Sequence, residues 1–178
     1  MAEIGDAYLK DLVQTYRNYQ SLADRALAQV RNDSDLHAVP GPGSNSIAII
    51  MKHVAGNLRS RFRDFLTTDG EKPDRDREGE FEMATPLSRE EMLAWWKDGW
   101  AIAMQAIESL TPADLGRTVY IRGKGMLVIE ALNRSATHTS YHVGQIVLLV
   151  RHLTWPDWTP LTIPKGRSGE AGQREVRK

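Results

Sequence analysis

The chain has 178 residues, balances 23 lysines and arginines against 23 aspartates and glutamates, and contains no cysteine. That length suits one domain with a sizeable core. The zero formal net charge gives no basic stripe for nucleic acid, no stretch approaches the ~20 apolar residues of a membrane span, and the missing cysteines exclude disulfides, thiolate ligands and a protein thiol nucleophile.

The N-terminus, MAEIGDAYLKD, is charged and amphipathic, unlike a signal peptide, so a cytoplasmic protein is expected. Residues 4–30 carry Ile4, Tyr8, Leu12, Tyr16, Tyr19, Leu22, Ala26 and Val30 at alternating spacings of three and four, which predicts an amphipathic helix. RNDSD and then HAVPGPGSNS end it, because clustered prolines and glycines cannot continue a helix. His37 falls in this break and reads as a solvated loop residue. Ser46 or Asn45 caps a second helix over roughly 46–66, built on Ile47, Ile50, Met51, Val54, Leu58, Phe62 and Phe65. His53 lies on a shoulder of this helix, in line with Asn57 four residues on. There it is either a hydrogen-bonded structural residue or a metal ligand.

TTDGEKPDRDREGEFEMATPL (67–87) is charge-dense and rich in breakers, so it reads as a long surface connection with a solvated charged face. Ser88-Arg89-Glu90-Glu91 has the capping-box pattern and opens a helix to about 110. Trp95, Trp96 and Trp100 in that helix either wall a pocket or fill core or a subunit interface. Thr111-Pro112-Ala113-Asp114 starts a short helical turn with proline at its first position. TVYIRGKGMLV predicts a brief extended excursion or small hairpin. Its RGKG lacks the spacing and the hydroxyl of a phosphate loop. The last helix is expected over about 126–153, and in the tail WTPLTIP is expected to lie against the helices, with the final ten or so residues loose. The fold class is therefore all-α, a single domain over 1–165 followed by a polar tail over 166–178.

The last helix contains ATHTSYHVGQIVLLV, with His138 and His142 four residues apart. Four residues is roughly 400° of helical rotation, so both imidazoles project from nearly one side and lie one above the other. One helix offers two nitrogens to one metal ion by this spacing, and a catalytic site needs at least a third ligand. His152 is off their line and reads as a surface residue. Gln145 and Asn57, one turn along from His142 and His53, are candidates for orienting the ligands, and Tyr141 is a candidate proton donor. No carboxylate lies on the histidine side of the last helix, so no general base is evident there.

Four helices, a histidine midway along the second within NSIAIIMKHVAGN, HTSYHVGQI in the last, and a closing LTIPKGRS give a chain that resembles the DinB-like (YfiT-like) superfamily of metal-dependent enzymes, over about residues 5–168. Its look is that of an uncharacterised branch. The resemblance implies a four-helix bundle, usually a homodimer, with one divalent metal bound by three histidines that map to His53, His138 and His142. Members of known activity use a low-molecular-weight thiol such as bacillithiol, mycothiol or glutathione in transferase or isomerase reactions.

Three neutral imidazoles leave a divalent ion its full charge and an open position. Zinc or nickel suits such nitrogen donors best, with iron and manganese also accommodated. With no cysteine in the chain, a sulfur nucleophile has to arrive as a co-substrate. The first reading is thus a metal-dependent transferase or hydrolase that activates an exogenous thiol or a water against an electrophile. The others are a non-catalytic bundle tied together by its ion, and a partner-binding or stress-sensing module using the tryptophan helix.

Overall fold

The computed structural model describes residues 2–83 and 85–168. Four long helices dominate: α1 (Ala2–Leu27), α3 (Ile47–Phe62), α4 (Arg89–Glu108) and α5 (Val128–Thr154), with a five-residue helix α2 (Asp33–His37) after the first. A two-stranded antiparallel hairpin, β1 (Thr118–Ile121) and β2 (Lys124–Leu127), precedes α5. α3 packs on α4 and α5, and α1 packs on α5 and α4, so the four long helices close a ring around one core. None of the described helices is long and apolar enough to cross a membrane.

The caps place the helices. Ser46 Oγ accepts from the Ile49 amide and starts α3, the expected role for one of the two candidate caps. At α4 the box is complete: Ser88 Oγ accepts from the Glu91 amide at 3.2 Å, and Glu91 Oε2 accepts from the Ser88 amide at 2.9 Å. The hairpin turns through Arg122 and Gly123, with φ of 55° and 70°, the two positive φ values a two-residue primed turn requires.

Four local expectations are corrected. The buried stripe of α1 runs through Gly5, Leu9, Leu12 and Tyr16, while Ile4 is 76% exposed. Pro112 lies so close to Gly5 that any side chain there would strike it, so the helix turns its glycine inward. The break after α1 contains α2, and His37 there is not simply solvated, since its Nε2 sits 3.0 Å from the Leu87 carbonyl. α3 stops at Phe62 rather than near 66. The 67–87 connection is not merely a solvated face, because Lys72 and Glu80 are buried and residues Gly79–Phe81 form a 3-10 turn.

Trp96 and Trp100 are wholly buried in the core, and Trp96 Nε1 donates to Asp24 at 2.8 Å across to α1. Trp95 instead stays 47% exposed and lines an open hollow beside Lys52. WTPLTIP does lie against the helices: Arg25 donates to the Leu161 carbonyl, and Gln29 exchanges hydrogen bonds with Thr159. The residues expected to be loose, 169–178, lie outside the described residues. His152 is exposed, as expected.

At Gly99, α4 packs directly on the backbone of α3. A Cβ there would lie 2.8–2.9 Å from the backbone of Ala55, which cannot yield without parting the helices. Gly99→Ala is expected to lower stability by about 1–3 kcal/mol, despite alanine's better helix propensity. A leftward shift of the urea midpoint measures it.

Candidate metal centre

α3 is buried around most of its girth, and His53 sits on the side that meets α5 and the connection after α3. His138 and His142 project from α5 toward it. The ring centroids are 5.2 Å apart for His53–His138, 4.9 Å for His53–His142 and 4.6 Å for His138–His142. One nitrogen from each ring lies within 4.8 Å of the others, so the three histidines stand close enough to bind one metal ion. Two nitrogens at ~2.0–2.1 Å from a tetrahedral zinc lie about 3.3 Å apart. His53 Nε2 and His138 Nε2 are 3.2 Å apart.

The outer nitrogens show which lone pairs face inward. His53 Nδ1 donates to Glu80 Oε2 at 2.8 Å. His142 Nδ1 donates to Gln145 Oε1 at 2.8 Å. Both rings then present an unprotonated Nε2. His138 Nδ1 is buried and has no hydrogen-bond partner. Burial, with the neighbouring His142 and His53 adding repulsion, holds the His138 imidazolium down to about 4. Burial also depresses His142, against the opposing hydrogen bond to Gln145. Three imidazoles converging in this way, with His138 and His142 held toward their neutral forms, fit a divalent cation.

Glu80 was not visible in the sequence as part of this site. It comes from the connection between α3 and α4, and its side chain is 7% exposed. Arg75, 4% exposed, grips it with a two-pronged contact, Nε to Oε1 at 2.7 Å and Nη2 to Oε2 at 2.8 Å. Burial alone would raise this carboxyl, but the hydrogen bonds from His53 and Arg75 outweigh it and hold the group below its usual range. It therefore stays a carboxylate behind His53. The signal in the sequence is Gly56, one turn after His53, because a Cβ there would collide with the Glu80 carboxylate. Phe81 lies against the His53 ring with centroids 4.6 Å apart and completes its wall.

The connection is itself fastened. Ser60 Oγ donates to the Gly70 carbonyl and accepts from the Lys72 amide. Asp69 accepts from the amides of Arg122 and Gly123 at the hairpin tip. Lys52 Nζ donates to the carbonyls of Gly79 and Glu82.

The other candidates separate. Gln145 bonds to His142. Asn57 is buried and lines a cleft beside His53 and His138, but the ring nitrogens of His53 are engaged elsewhere. Tyr141 is 64% exposed and meets His142 edge-on at 5.0 Å. His138, the least buried of the three, opens onto a cleft of about 190 Å³ that His53 also lines.

A mostly helical protein whose three histidines converge on one point is the class this geometry defines. The chain belongs to the DUF1572 family, described as proteins of unknown function, whose profile matches residues 3–167. No curated protein and no solved structure matches it.

Glu80→Gln keeps the shape of the side chain but removes the charge that pairs with Arg75 and strengthens the His53 hydrogen bond. It is expected to weaken metal affinity about ten- to a hundredfold, read by competition with a chromophoric chelator. Gly56→Ala, which displaces the carboxylate without touching it chemically, is expected to weaken it in the same direction.

Proposed function

We propose that this is a DinB-like four-helix bundle with one divalent metal bound by His53, His138 and His142, and that it is a thiol- or water-dependent enzyme. The observation that carries the reading is the convergence of three imidazoles from two helices, one of them backed by the Glu80–Arg75 pair. When bound, a divalent ion in such a site supplies Lewis acidity and brings the pKa of a bound water or thiol toward neutrality. Zinc and nickel are the ions favoured by all-nitrogen donors, with iron and manganese next.

The chain's own residues divide the remaining work. Glu80 and Gln145 hold the tautomers and ring planes of His53 and His142. Phe81 shields one face of His53 from water. The cleft leaves His138 reachable, which favours a catalytic centre over an ion that only ties helices together. Since the chain has no cysteine, the nucleophile is an exogenous low-molecular-weight thiol or a water, and the reaction is group transfer to that thiol or hydrolysis of an electrophile.

The homodimer we assign to the outer face of α5 and its C-terminal end. Tyr141 and Leu148 on the helix and Trp155 just past it are 64%, 66% and 70% exposed, more apolar surface than one helix face ordinarily leaves to water. Leu148→Asp is expected to convert a dimer to a monomer in light scattering coupled to size exclusion. A wild-type monomer would dispose of this assignment.

For the centre itself, untagged protein is expected to carry one equivalent of metal per chain, and His53→Ala, His138→Ala and His142→Ala to carry almost none while keeping their helical circular dichroism. Stoichiometric metal in any of these variants would refute the three-histidine site. Metal-dependent consumption of a chromogenic electrophile by glutathione, abolished by chelator, tests the thiol-dependent reading.

A further inference from the structure

The chain is neutral overall, yet the cleft beside His53 and His138 is lined by five arginines, Arg61, Arg75, Arg77, Arg122 and Arg134, and by no carboxylate. Three of them are partly compensated from behind. Arg61, Arg75 and Arg122 share Glu71, and Arg75 also holds Glu80. Arg77 pairs with exposed Glu78. Arg134 makes no ion pair or side-chain hydrogen bond with the described residues. Five guanidinium groups thus face three carboxylates, and two positive charges remain beside a centre suited to a cation.

This arrangement is positioned rather than incidental. Arg134 precedes His138 by four residues on α5, so the two side chains emerge from one face about one turn, ~6 Å, apart. Arg77 lies over the Phe81 ring at 5.7 Å, and Phe81 rests on His53. Two further polar groups in the cleft have unused capacity. Asn57 is buried, and its side chain makes no hydrogen bond with the described residues. Ser135 Oγ is buried without a partner at hydrogen-bond geometry, although the Tyr16 hydroxyl is near enough to interact with it electrostatically. Guanidinium forks matched with amide and hydroxyl donors form a binding set for an oxyanion.

We propose that the cleft is an anion subsite, and that the molecule delivered to the centre is a small organic acid whose carboxylate or phosphate is held by Arg134, with the surplus charge of the Arg61, Arg75 and Arg122 group beside it, about one helical turn from the reacting atom. Asn57 and Ser135 donate to the same group or to the adjoining oxygen. The cleft holds the volume of roughly six waters, which bounds the part of the ligand it encloses to a few heavy atoms. The role of the subsite in catalysis rests on the metal reading above, but its anion affinity does not.

The test therefore begins with chelator-treated, metal-free protein titrated calorimetrically with inorganic phosphate and, separately, with succinate, at low ionic strength. Wild type is expected to bind at least one of the two with about millimolar affinity, and the tighter of them identifies phosphate or carboxylate as the preferred group. Arg134→Ala is expected to weaken that binding about ten- to a hundredfold, Arg134→Lys to recover part of it, and Arg17→Ala, remote from the cleft and paired with Glu108, to leave it unchanged. Equal affinity in wild type and Arg134→Ala, or no binding of either anion to wild type, overturns the subsite. Metal content measured on the same samples separates the two readings. Arg134→Ala is expected to retain its metal, whereas anion binding by a wild type that takes up no metal would sink the metal centre and leave the subsite standing.

Discussion

The hydrogen bond from His53 Nδ1 to the Glu80 carboxylate is the contact on which the rest of the site depends. It fixes the tautomer of the one imidazole that α3 contributes, and so decides that its free lone pair faces His138 and His142. A buried carboxylate is costly unless it is paired, and Arg75 supplies the pairing in the planar, two-pronged geometry that guanidinium groups favour. Such a pair is a poor source of net stability, because desolvation offsets most of its attraction. Its evident use here is orientation.

That contact explains why the connection between α3 and α4 is built as it is. A segment of this composition would normally remain solvated, with too little apolar surface to offset the entropy of ordering it. Here it is fastened at both ends and in the middle: to α3 through Ser60 and Lys52, to the hairpin through Asp69, and to itself through Glu71. The hairpin in turn is joined to α5, on which two of the histidines stand. Charge is thereby sorted in space within a chain that has no net charge. Guanidinium groups line the cleft while the carboxylates that pair with them do not, so the three histidines, close enough to bind a metal ion, stand beside a cleft lined by positive charge.

Much of this was legible in the residues, and the remainder fails to be for physical reasons. The four long helices follow from apolar periodicity, and Ser46 and Ser88 cap where their hydroxyls predict. His138 and His142 announce themselves because helical geometry alone makes residues four apart neighbours. His53 does not, since its proximity to them spans 85 residues of chain and depends on how α3 meets α5. Glu80 is less legible still. It sits in a run of charges whose ordinary fate is water, and only Gly56, a small residue one turn from His53, hints that something large lies against that face. Leu12, Tyr16, Ala26 and Val30 of the expected α1 stripe are buried, and only its first turns are missed, where Gly5 packs against Pro112 while Ile4 stays exposed.

X-ray absorption at the metal edge of the loaded protein tests the central claim most directly. Three imidazole nitrogens are predicted at about 2.0–2.1 Å, with one further light-atom ligand that is replaced by sulfur when a low-molecular-weight thiol is added. A first shell with fewer than three imidazoles, or one in which a carboxylate takes the place assigned to His53, would contradict the account.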